Sequence, residues 1–361
     1  MNPLVTVVLD TYNHEQFIED AIRSALNQDF PRSQMEILVV DDGSTDRTPE
    51  IVRKFEPQVR LIRKPNGGQA SAINAGIAHA TGEIVAFLDG DDVWLPNKVS
   101  RVVEEFHNNP RVVLVYHKFS FWDSRDGREW DPAWLLVSGD IVADRRKLQI
   151  YSPSPAPTSS LAFRKSCLDR LTPIPDQCSF MHDAYLTGTA IFLGPVSTIA
   201  DCLTKNRVHG NNLWYTDNDR PDKKAWRRRT EARHAAIEST RAWMLANVPA
   251  PLLPKTREFL LLSELASEAD DFLLKPPGRL RLARHLLQRA WHYGVRMTWR
   301  HKLVTYVNAF GVLFTGYRRF YLLDQWRIRI KNALLGQDGL IETNDAPPPG
   351  KSARPRCGDS S

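Results

Sequence analysis

The chemistry in this sequence is concentrated in the segment VAFLDGDDVWLP, where three carboxylates follow an apolar run. Asp89, Asp91 and Asp92 repel one another at neutral pH, and packing alone gives a chain no reason to gather them. Asp89 and Asp91 form a D-x-D pair, whose hard oxygens suit Mg²⁺ or Mn²⁺ when outside ligands such as phosphate oxygens complete the coordination. A cation that bridges a diphosphate neutralises the charge of a leaving group, so the pair predicts a metal site for diphosphate chemistry.

Two other apolar runs also end in acids. DTYN (10–13) follows one β-rich run, and DDGS (41–44) follows another. Ligands of α/β sheets bind beyond the carboxyl ends of the strands, so three acidic strand ends at one edge predict a site. A carboxylate there can accept a hydrogen bond from a base N–H, and a tyrosine can stack on the base. Turn chemistry explains each motif alone, but together they favour a nucleotide pocket.

The elements that must position these residues alternate between strand and helix patterns. The predicted strands are Val5–Leu9, Glu36–Val40, Val59–Ile62, Glu83–Leu88, Val112–Tyr116 and Leu161–Arg164. The predicted helices are Glu15–Gln28, Thr48–Phe55, Gln69–Ala80, one that begins near His182 and ends at Gly194, and helical segments over 224–300. We therefore predict the α/β class, with a mostly parallel, mixed sheet flanked by helices and a C-terminal α-helical extension.

Charge is distributed unevenly along the 361 residues. Lys and Arg outnumber Asp and Glu by 48 to 42, but Gly278–Lys331 alone holds 12 basic residues and one acid, which leaves 36 against 41 elsewhere. Basic residues interleaved with aromatic ones occur in solvated helical subdomains, at anionic membrane surfaces and, less often, in nucleic-acid sites. The sequence leaves the first two open and makes nucleic acid an unlikely partner. The sequence has no run of about 18 apolar residues, so a membrane-spanning helix is not predicted. It shows no basic leader, so a signal peptide is not expected.

Four segments in order resemble the family 2 glycosyltransferases, which have the GT-A fold. They are VTVVLDTYN, ILVVDDGSTDRT, NGGQASAINAGIAHATGEIVAFLDGDDVWLP and HDAYL, and the resemblance covers roughly residues 4 to 215. It implies an inverting transfer of a sugar from a nucleotide-sugar donor (a UDP-, GDP- or dTDP-sugar) to an acceptor hydroxyl, with Mn²⁺ or Mg²⁺. The implied acceptor is a glycan or a lipid-linked glycan in cell-surface polysaccharide or glycolipid synthesis.

The resemblance also implies a role for each matching residue. Residues at the donor nucleotide would be Asp10, Tyr12, Asp41, Asp42 and Asp89. Residues at the donor sugar and diphosphate would be Asn66, Gln69, Asn74 and His209. The metal ligands would be Asp91, Asp89 and His209. Asp183 in HDAYL resembles the carboxylate that acts as general base, where the family often has Glu before that Asp and this chain has His182.

The expected domains are a GT-A glycosyltransferase catalytic domain (1–220), a basic, aromatic-rich helical extension (221–340) and a disordered tail (341–361). The expected location is the cytoplasm, with a peripheral contact at the inner face of the membrane left open. One alternative is a sugar-nucleotide pyrophosphorylase, which would carry a Gly-rich loop with Arg and Lys where this chain has DTYNH. The other is a non-catalytic sugar-nucleotide-binding or scaffold protein, which would lose Asp91 or Asp183.

Overall fold

The computed structural model describes residues 4–132, 136–151, 156–210, 212, 223–274 and 278–292. The chain divides into two compact units, Met1–Glu264 and Leu265–Ser361. The boundary that we place at residues 220 and 221 stays a prediction. Most of the basic segment and the predicted tail lie outside the described residues.

A mixed sheet forms the centre of the first unit. In the described part of the chain it has nine strands, in the order β3-β2-β1-β4-β8-β6-β9-β5, with β7 paired to β6. The strands are β1 (Val5–Thr11), β2 (Met35–Asp41), β3 (Arg60–Arg63), β4 (Ile84–Asp89), β5 (Val93–Trp94), β6 (Leu114–Asp123), β7 (Glu129–Trp130), β8 (Leu161–Arg164) and β9 (Val196–Val208). Strands β1 to β4 run parallel, whereas β8 is antiparallel to both β4 and β6. The predicted α/β class is confirmed.

The residues that the structure describes also form ten α-helices. They are α1 (Ile18–Leu26), α2 (Thr48–Arg53), α3 (Gln69–His79), α4 (Lys98–Asn108), α5 (Arg145–Ile150), α6 (Lys165–Leu171), α7 (His182–Ala190), α8 (Lys223–Asn247), α9 (Leu253–Leu274) and α10 (Arg279–His292). Helices α8 to α10 confirm that the C-terminal extension is helical. Among the described residues, none of the helices combines the length and the apolar character needed to cross a membrane.

Alternation along the central strands divides the core into two layers, because successive side chains point to opposite faces. Val8 of β1 belongs to the cluster that also contains Ile73 and Ile77 of α3. Its neighbours Val7 and Leu9 belong to the other cluster, which contains the buried face of α1 and α4. Both faces of β1 are therefore buried, which explains its unbroken apolar run.

The helical extension begins by packing on the sheet domain. Ala236, Ile237 and Met244 of α8 are buried in the same cluster as the α3 side of the sheet, together with Phe259 of α9. Trp243 of α8 also donates a hydrogen bond from Nε1 to the carbonyl of Arg170, at 3.0 Å. The first part of the extension therefore contributes to the core of the first unit.

Several local expectations differ from the structure, among them the end of α7 and strand β9. Helix α7 ends at Ala190 and not at Gly194, because the chain passes through a turn before β9. Strand β9 was not predicted, since its sequence VSTIADCLTKNRV mixes buried and exposed positions without strict alternation. Its pairing with β6 includes register shifts beside Lys118, which breaks the simple two-residue period.

His117 makes the stability of the fold sensitive to acid. It lies in β6 with no exposed surface, and its Nδ1 lies 2.8 Å from the carbonyl oxygen of Lys118. Burial, together with the charge of Lys98, lowers the pKa of His117 well below its ordinary value. The unfolded chain takes up a proton near pH 6.5 that the folded chain excludes, so stability is lost as the pH falls through that value.

We expect His117→Asn, whose amide can replace the Nδ1 donor, to reduce this pH dependence. The difference in unfolding free energy between pH 7 and pH 5 should shrink by up to about 2 kcal/mol. Urea unfolding at the two pH values measures it, with His107→Asn on the end of α4 as the control. An unchanged pH dependence in His117→Asn would contradict the assignment of a neutral, buried histidine.

Candidate active site at the carboxyl ends of the strands

The register of the parallel strands brings the predicted acids together. Asp10 of β1 pairs with Asp89 of β4, and Thr11 pairs with Asp41 of β2. The backbone continues the pairing beyond the strands, since Gly90 N donates to the Asp10 carbonyl at 2.9 Å. The three acidic segments therefore lie side by side at one edge of the sheet.

Asp10 and Asp89 lie side by side at this edge. Burial, and then the charge of Asp91, raises the pKa of Asp10 to about 7, although hydrogen bonds with Asp89 and Gln69 oppose the rise. The pKa of Asp89 also lies well above its ordinary value, because of burial and the neighbouring carboxylates. Gln69 Nε2 donates to Asp89 Oδ1 at 3.0 Å, whereas Asp10 Oδ1 is buried without a hydrogen-bond partner among the described residues. This edge therefore has negative charge that the described side chains compensate only in part.

Asp91 faces His209, although 118 residues separate them in the sequence. His209 Nε2 lies 3.1 Å from Asp91 Oδ2. Burial acts to raise the pKa of Asp91, but the hydrogen bond to His209 and the charges of His14 and His209 outweigh it and bring the pKa below its ordinary value. The His209 ring also packs on Phe17, with the ring centroids 4.3 Å apart. The predicted metal ligands Asp91 and His209 are thus brought together.

Gly90 allows the first loop to approach this pair. A Cβ atom at Gly90 would lie 2.7 Å from both His14 Nδ1 and Thr11 Oγ1. A larger residue would displace the side chains of His14 and Thr11, so the glycine of the D-G-D segment leaves them the space that they occupy.

The chain around His209 is held by Arg207 and Asn212, which were not predicted as site residues from the sequence. Asn212 accepts a hydrogen bond from His209 N and donates one to the Arg207 carbonyl, both at 2.8 Å. Arg207 donates to the Asp91 carbonyl and to Asp20, also at 2.8 Å. Its guanidinium lies over the rings of Phe17 and Trp122, at 5.1 and 4.4 Å from their centroids.

Asp92, the third acid of the opening segment, is turned into the protein. It is 2% exposed and accepts hydrogen bonds from the Ser159 hydroxyl at 2.6 Å, Asn206 Nδ2 at 2.5 Å and Arg207 N at 2.9 Å. Burial and the charge of Asp91 raise the pKa of Asp92 to about 8, although these three hydrogen bonds oppose the rise. Asn206 therefore has a structural role as a partner of Asp92, from which it is 114 residues distant in the sequence.

Asp41 and Asp42 are engaged with their own loops. Asp42 accepts hydrogen bonds from Lys64 Nζ at 2.6 Å and from the backbone N–H groups of Gly67 and Gly68. Asp41 accepts from Ser44 N at 2.9 Å and pairs with Arg63. Both carboxylates are buried and hold the chain that surrounds the predicted nucleotide pocket, and their contact with a base stays a prediction.

The other residues predicted to contact the sugar-nucleotide donor differ in their surroundings. Tyr12 is 45% exposed beside the strand edge. Asn66 is exposed, whereas Asn74 exchanges hydrogen bonds with both backbone groups of Ile174 at 2.8 Å. Of the predicted donor-sugar segment, the structure therefore brings Gln69 to the carboxylates, while Asn74 fixes the loop that precedes α7.

Asp183 lies in the first turn of α7, partly exposed, and its Oδ1 accepts a hydrogen bond from Ala184 N at 2.7 Å. His182, which precedes it, is 3% exposed, and its Nε2 lies 2.9 Å from the hydroxyl of Thr158. Burial lowers the pKa of His182, against the opposing charge of Asp183. The residue that replaces the usual Glu of the family is therefore neutral and anchored, and it fixes the start of the helix.

The side chains at this edge of the sheet are suited to bind a divalent cation that also binds a diphosphate. Within the described residues, no three His, Cys, Asp or Glu side chains are arranged to hold a metal by themselves. Mg²⁺ in nucleotide sites is nevertheless bound through one or two carboxylates plus phosphate oxygens and water. The Asp91 carboxylate, the facing His209 imidazole and the unpartnered Asp10 Oδ1 supply donors and negative charge of this kind.

The chain is similar in sequence to known glycosyltransferases. The family described as Glycosyl transferase family 2 matches residues 6–169. An uncharacterized glycosyltransferase of Nostoc sp. is 29% identical over 94% of this chain and 98% of its own length.

Two solved structures share the fold. Staphylococcus aureus TarS 1-349 in complex with UDP-GlcNAc has a TM-score of 0.53 and 18% identity, and the match covers 86% of this chain and 92% of that one. The mannosyltransferase PcManGT of Pyrobaculum calidifontis, in complex with GDP-Man and Mn²⁺, has a TM-score of 0.53 and 22% identity, with 93% and 89% covered. A glycosyltransferase family 2 domain is therefore matched over residues 6–169, and the chain has the GT-A fold.

Proposed function

We propose that this chain is an inverting, metal-dependent transferase that moves a sugar from a nucleoside diphosphate to an acceptor hydroxyl. The observation that carries the proposal is the Asp91–His209 pair beside the buried Asp10 and the partly buried Asp89. It is supported by the nucleotide-sugar and Mn²⁺ complexes of the two structural neighbours. The acceptor class, a glycan or a lipid-linked glycan of cell-surface polysaccharide or glycolipid synthesis, rests on the sequence resemblance alone.

The residues suggest a single displacement. Asp183 accepts the proton of the acceptor hydroxyl, and the oxygen attacks the anomeric carbon from the face opposite the diphosphate, which inverts the configuration. Asp91, His209 and Asp89 would hold a divalent cation, which when bound neutralises charge on the leaving diphosphate. Gln69 orients Asp89, and Arg207 fixes the Asp91 backbone, so these groups need little rearrangement during the reaction.

We expect Asp91→Ala to abolish metal-dependent donor binding. The measurement is the melting temperature with UDP-, GDP- and dTDP-sugars, each with and without Mn²⁺, because a ligand bound only to the native state raises that temperature. In the wild type, one nucleotide class should give an Mn²⁺-dependent rise; in Asp91→Ala the apparent affinity should fall at least about tenfold, the loss found even for outer-shell partners of a metal.

Asp126→Ala is the matched control, since Asp126 lies in the β6–β7 turn, where it pairs with exposed Arg128. It should retain the full shift. An Mn²⁺-dependent rise in Asp91→Ala equal to that of the control would show that Asp91 does not hold the metal.

We expect Asp183→Asn to keep donor binding but lose transfer. The donor Kd should remain within about threefold, while kcat falls about 10²- to 10⁴-fold, as for other general bases. Asp176→Asn, an exposed acid in the short turn before α7, is the control. A variant that still transferred sugar would remove Asp183 from the mechanism and favour another base. NMR of the wild-type product tests inversion, which retention of the donor's anomeric configuration would exclude.

For the basic extension we propose a peripheral contact with an anionic membrane. The supporting observation is on α10, where Leu280 and Leu287, seven residues apart, are 79% and 37% exposed and Arg281 and Arg284 are also exposed. Apolar residues beside basic ones are typical of helices that lie in a membrane interface. Residues 293–331, which continue this composition, lie outside the described part of the chain.

We expect the full chain to co-sediment with vesicles that contain phosphatidylglycerol more than with pure phosphatidylcholine vesicles, and less at high salt. The double variant Leu280→Ser/Leu287→Ser should bind at least about tenfold more weakly, given the transfer free energy of two leucines. Leu245→Ser, at a leucine of α8 that is 68% exposed, should not change binding. Equal binding of the double variant and the control would contradict a contact through α10.

A further inference from the structure

A short turn directly before β8 contacts both the acidic segment after β4 and the start of α7. Residues Thr158–Ser160 form one 3₁₀ turn before β8, and their side chains are 5%, 0% and 0% exposed. Three consecutive small polar residues with such complete burial need hydrogen-bond partners. The side chains of Thr158 and Ser159 have hydrogen-bond partners, which lie at the start of α7 and in the acidic segment after β4.

The Ser159 hydroxyl joins both ends of the D-G-D-D segment. Its Oγ accepts a hydrogen bond from Asp89 N at 2.9 Å and donates one to Asp92 Oδ2 at 2.6 Å. The two residues flank Gly90 and Asp91, so a single hydroxyl spans the turn that presents Asp91. Neither bond can be replaced by water without opening a fully buried position.

The Ser159 carbonyl is fixed just as firmly. It accepts hydrogen bonds from Lys98 Nζ at 2.7 Å, Trp94 Nε1 at 3.0 Å and Thr204 Oγ1 at 3.1 Å. Lys98 has no exposed surface, and its ammonium lies 3.6 Å from the centroid of the Trp94 ring. Donors from α4, β5 and β9 therefore converge on one peptide group, and the position of Ser159 is determined by three elements of the fold.

Thr158 makes the corresponding contact on the acceptor side. Its hydroxyl lies 2.9 Å from Nε2 of His182, which precedes Asp183 at the start of α7. Successive residues of one turn thus hold the backbone of the acidic segment and the first residue of the helix that carries the proposed base.

We propose that Thr158 and Ser159 are positioning residues that set the place of the Asp91 carboxylate relative to Asp183. The inference rests on the proposed function, since it assigns the two sides of the turn to donor and acceptor. It predicts separable effects: loss of the Ser159 hydroxyl should weaken donor binding, whereas loss of the Thr158 hydroxyl should slow transfer from a donor that binds normally.

The first test compares Ser159→Ala with Ser160→Ala. Ser160 is equally buried, but its Oγ has no hydrogen-bond partner among the described residues, so it is a matched control one position away. Binding of UDP and GDP with Mn²⁺, measured by calorimetry and by the rise in melting temperature, should weaken at least tenfold in Ser159→Ala and remain within twofold in Ser160→Ala. Equal affinities in the two variants would overturn the role of Ser159. If Ser159→Ala does not fold, Ser159→Cys, which keeps only a weak hydrogen-bond donor, should bind the nucleotide more weakly than Ser160→Ala.

The second test compares Thr158→Val with Thr158→Ser. Thr158→Val should lower kcat at least tenfold with the nucleotide Kd unchanged, and Thr158→Ser, which keeps the hydroxyl, should restore kcat. Equal loss in both variants, or a parallel loss of nucleotide affinity, would reduce Thr158 to a packing role. A wild-type chain without any sugar transfer would instead refute the proposed function, whereas normal transfer with indistinguishable variants refutes only this inference.

Discussion

Repulsion among carboxylates is the constraint on which the rest of this site depends. Parallel pairing places Asp10 directly beside Asp89, and the turn after β4 adds Asp91 and Asp92. Burial strengthens the repulsion, since charges interact more strongly when water is excluded. Burial, and after it the charge of Asp91, raises the pKa of Asp10 to about 7 and that of Asp92 to about 8. A fold that keeps these acids adjacent must supply donors for them or leave the charge for a ligand.

The hydrogen-bond donors that the protein supplies to these acids are distributed unevenly. Asp92, in the interior, receives three hydrogen bonds from protein groups. Asp89 receives one from Gln69, Asp91 faces one imidazole, and Asp10 Oδ1 receives none from the described residues. Asp92 therefore has more hydrogen-bond donors from the protein than Asp89 or Asp91. A cation with its diphosphate would supply its charge at the acids with the fewest protein donors, whereas Asp92 has a structural role.

The sequence predicted the acidic strand ends because local patterns encode them. The apolar runs before Asp10, Asp41 and Asp89 are visible within ten residues, and the motif order indicated the family. The partners of these acids were not predictable, because their signals are not local. Ser159 lies 67 residues from Asp92 and Arg207 lies 116 from Asp91, and a serine beside a Pro-rich stretch is typical of a loop. Strand β9 was missed for a related reason, since its register shifts remove the alternation that identifies a strand.

The long-range partners also determine how much of the chain the site requires. The family match ends at residue 169, after the acidic segments and the turn that carries Ser159. Strand β9 and the segment that follows it supply Thr204, Asn206, Arg207 and His209, all of which contact the acidic segment or the turn that holds it. Strand β9 is held in place by its long pairing with β6 and by its contact with β5, directly after Asp92. The strands that carry the acidic segments therefore receive side-chain partners from the later strands. The proposed site accordingly extends at least to Asn212, which holds His209.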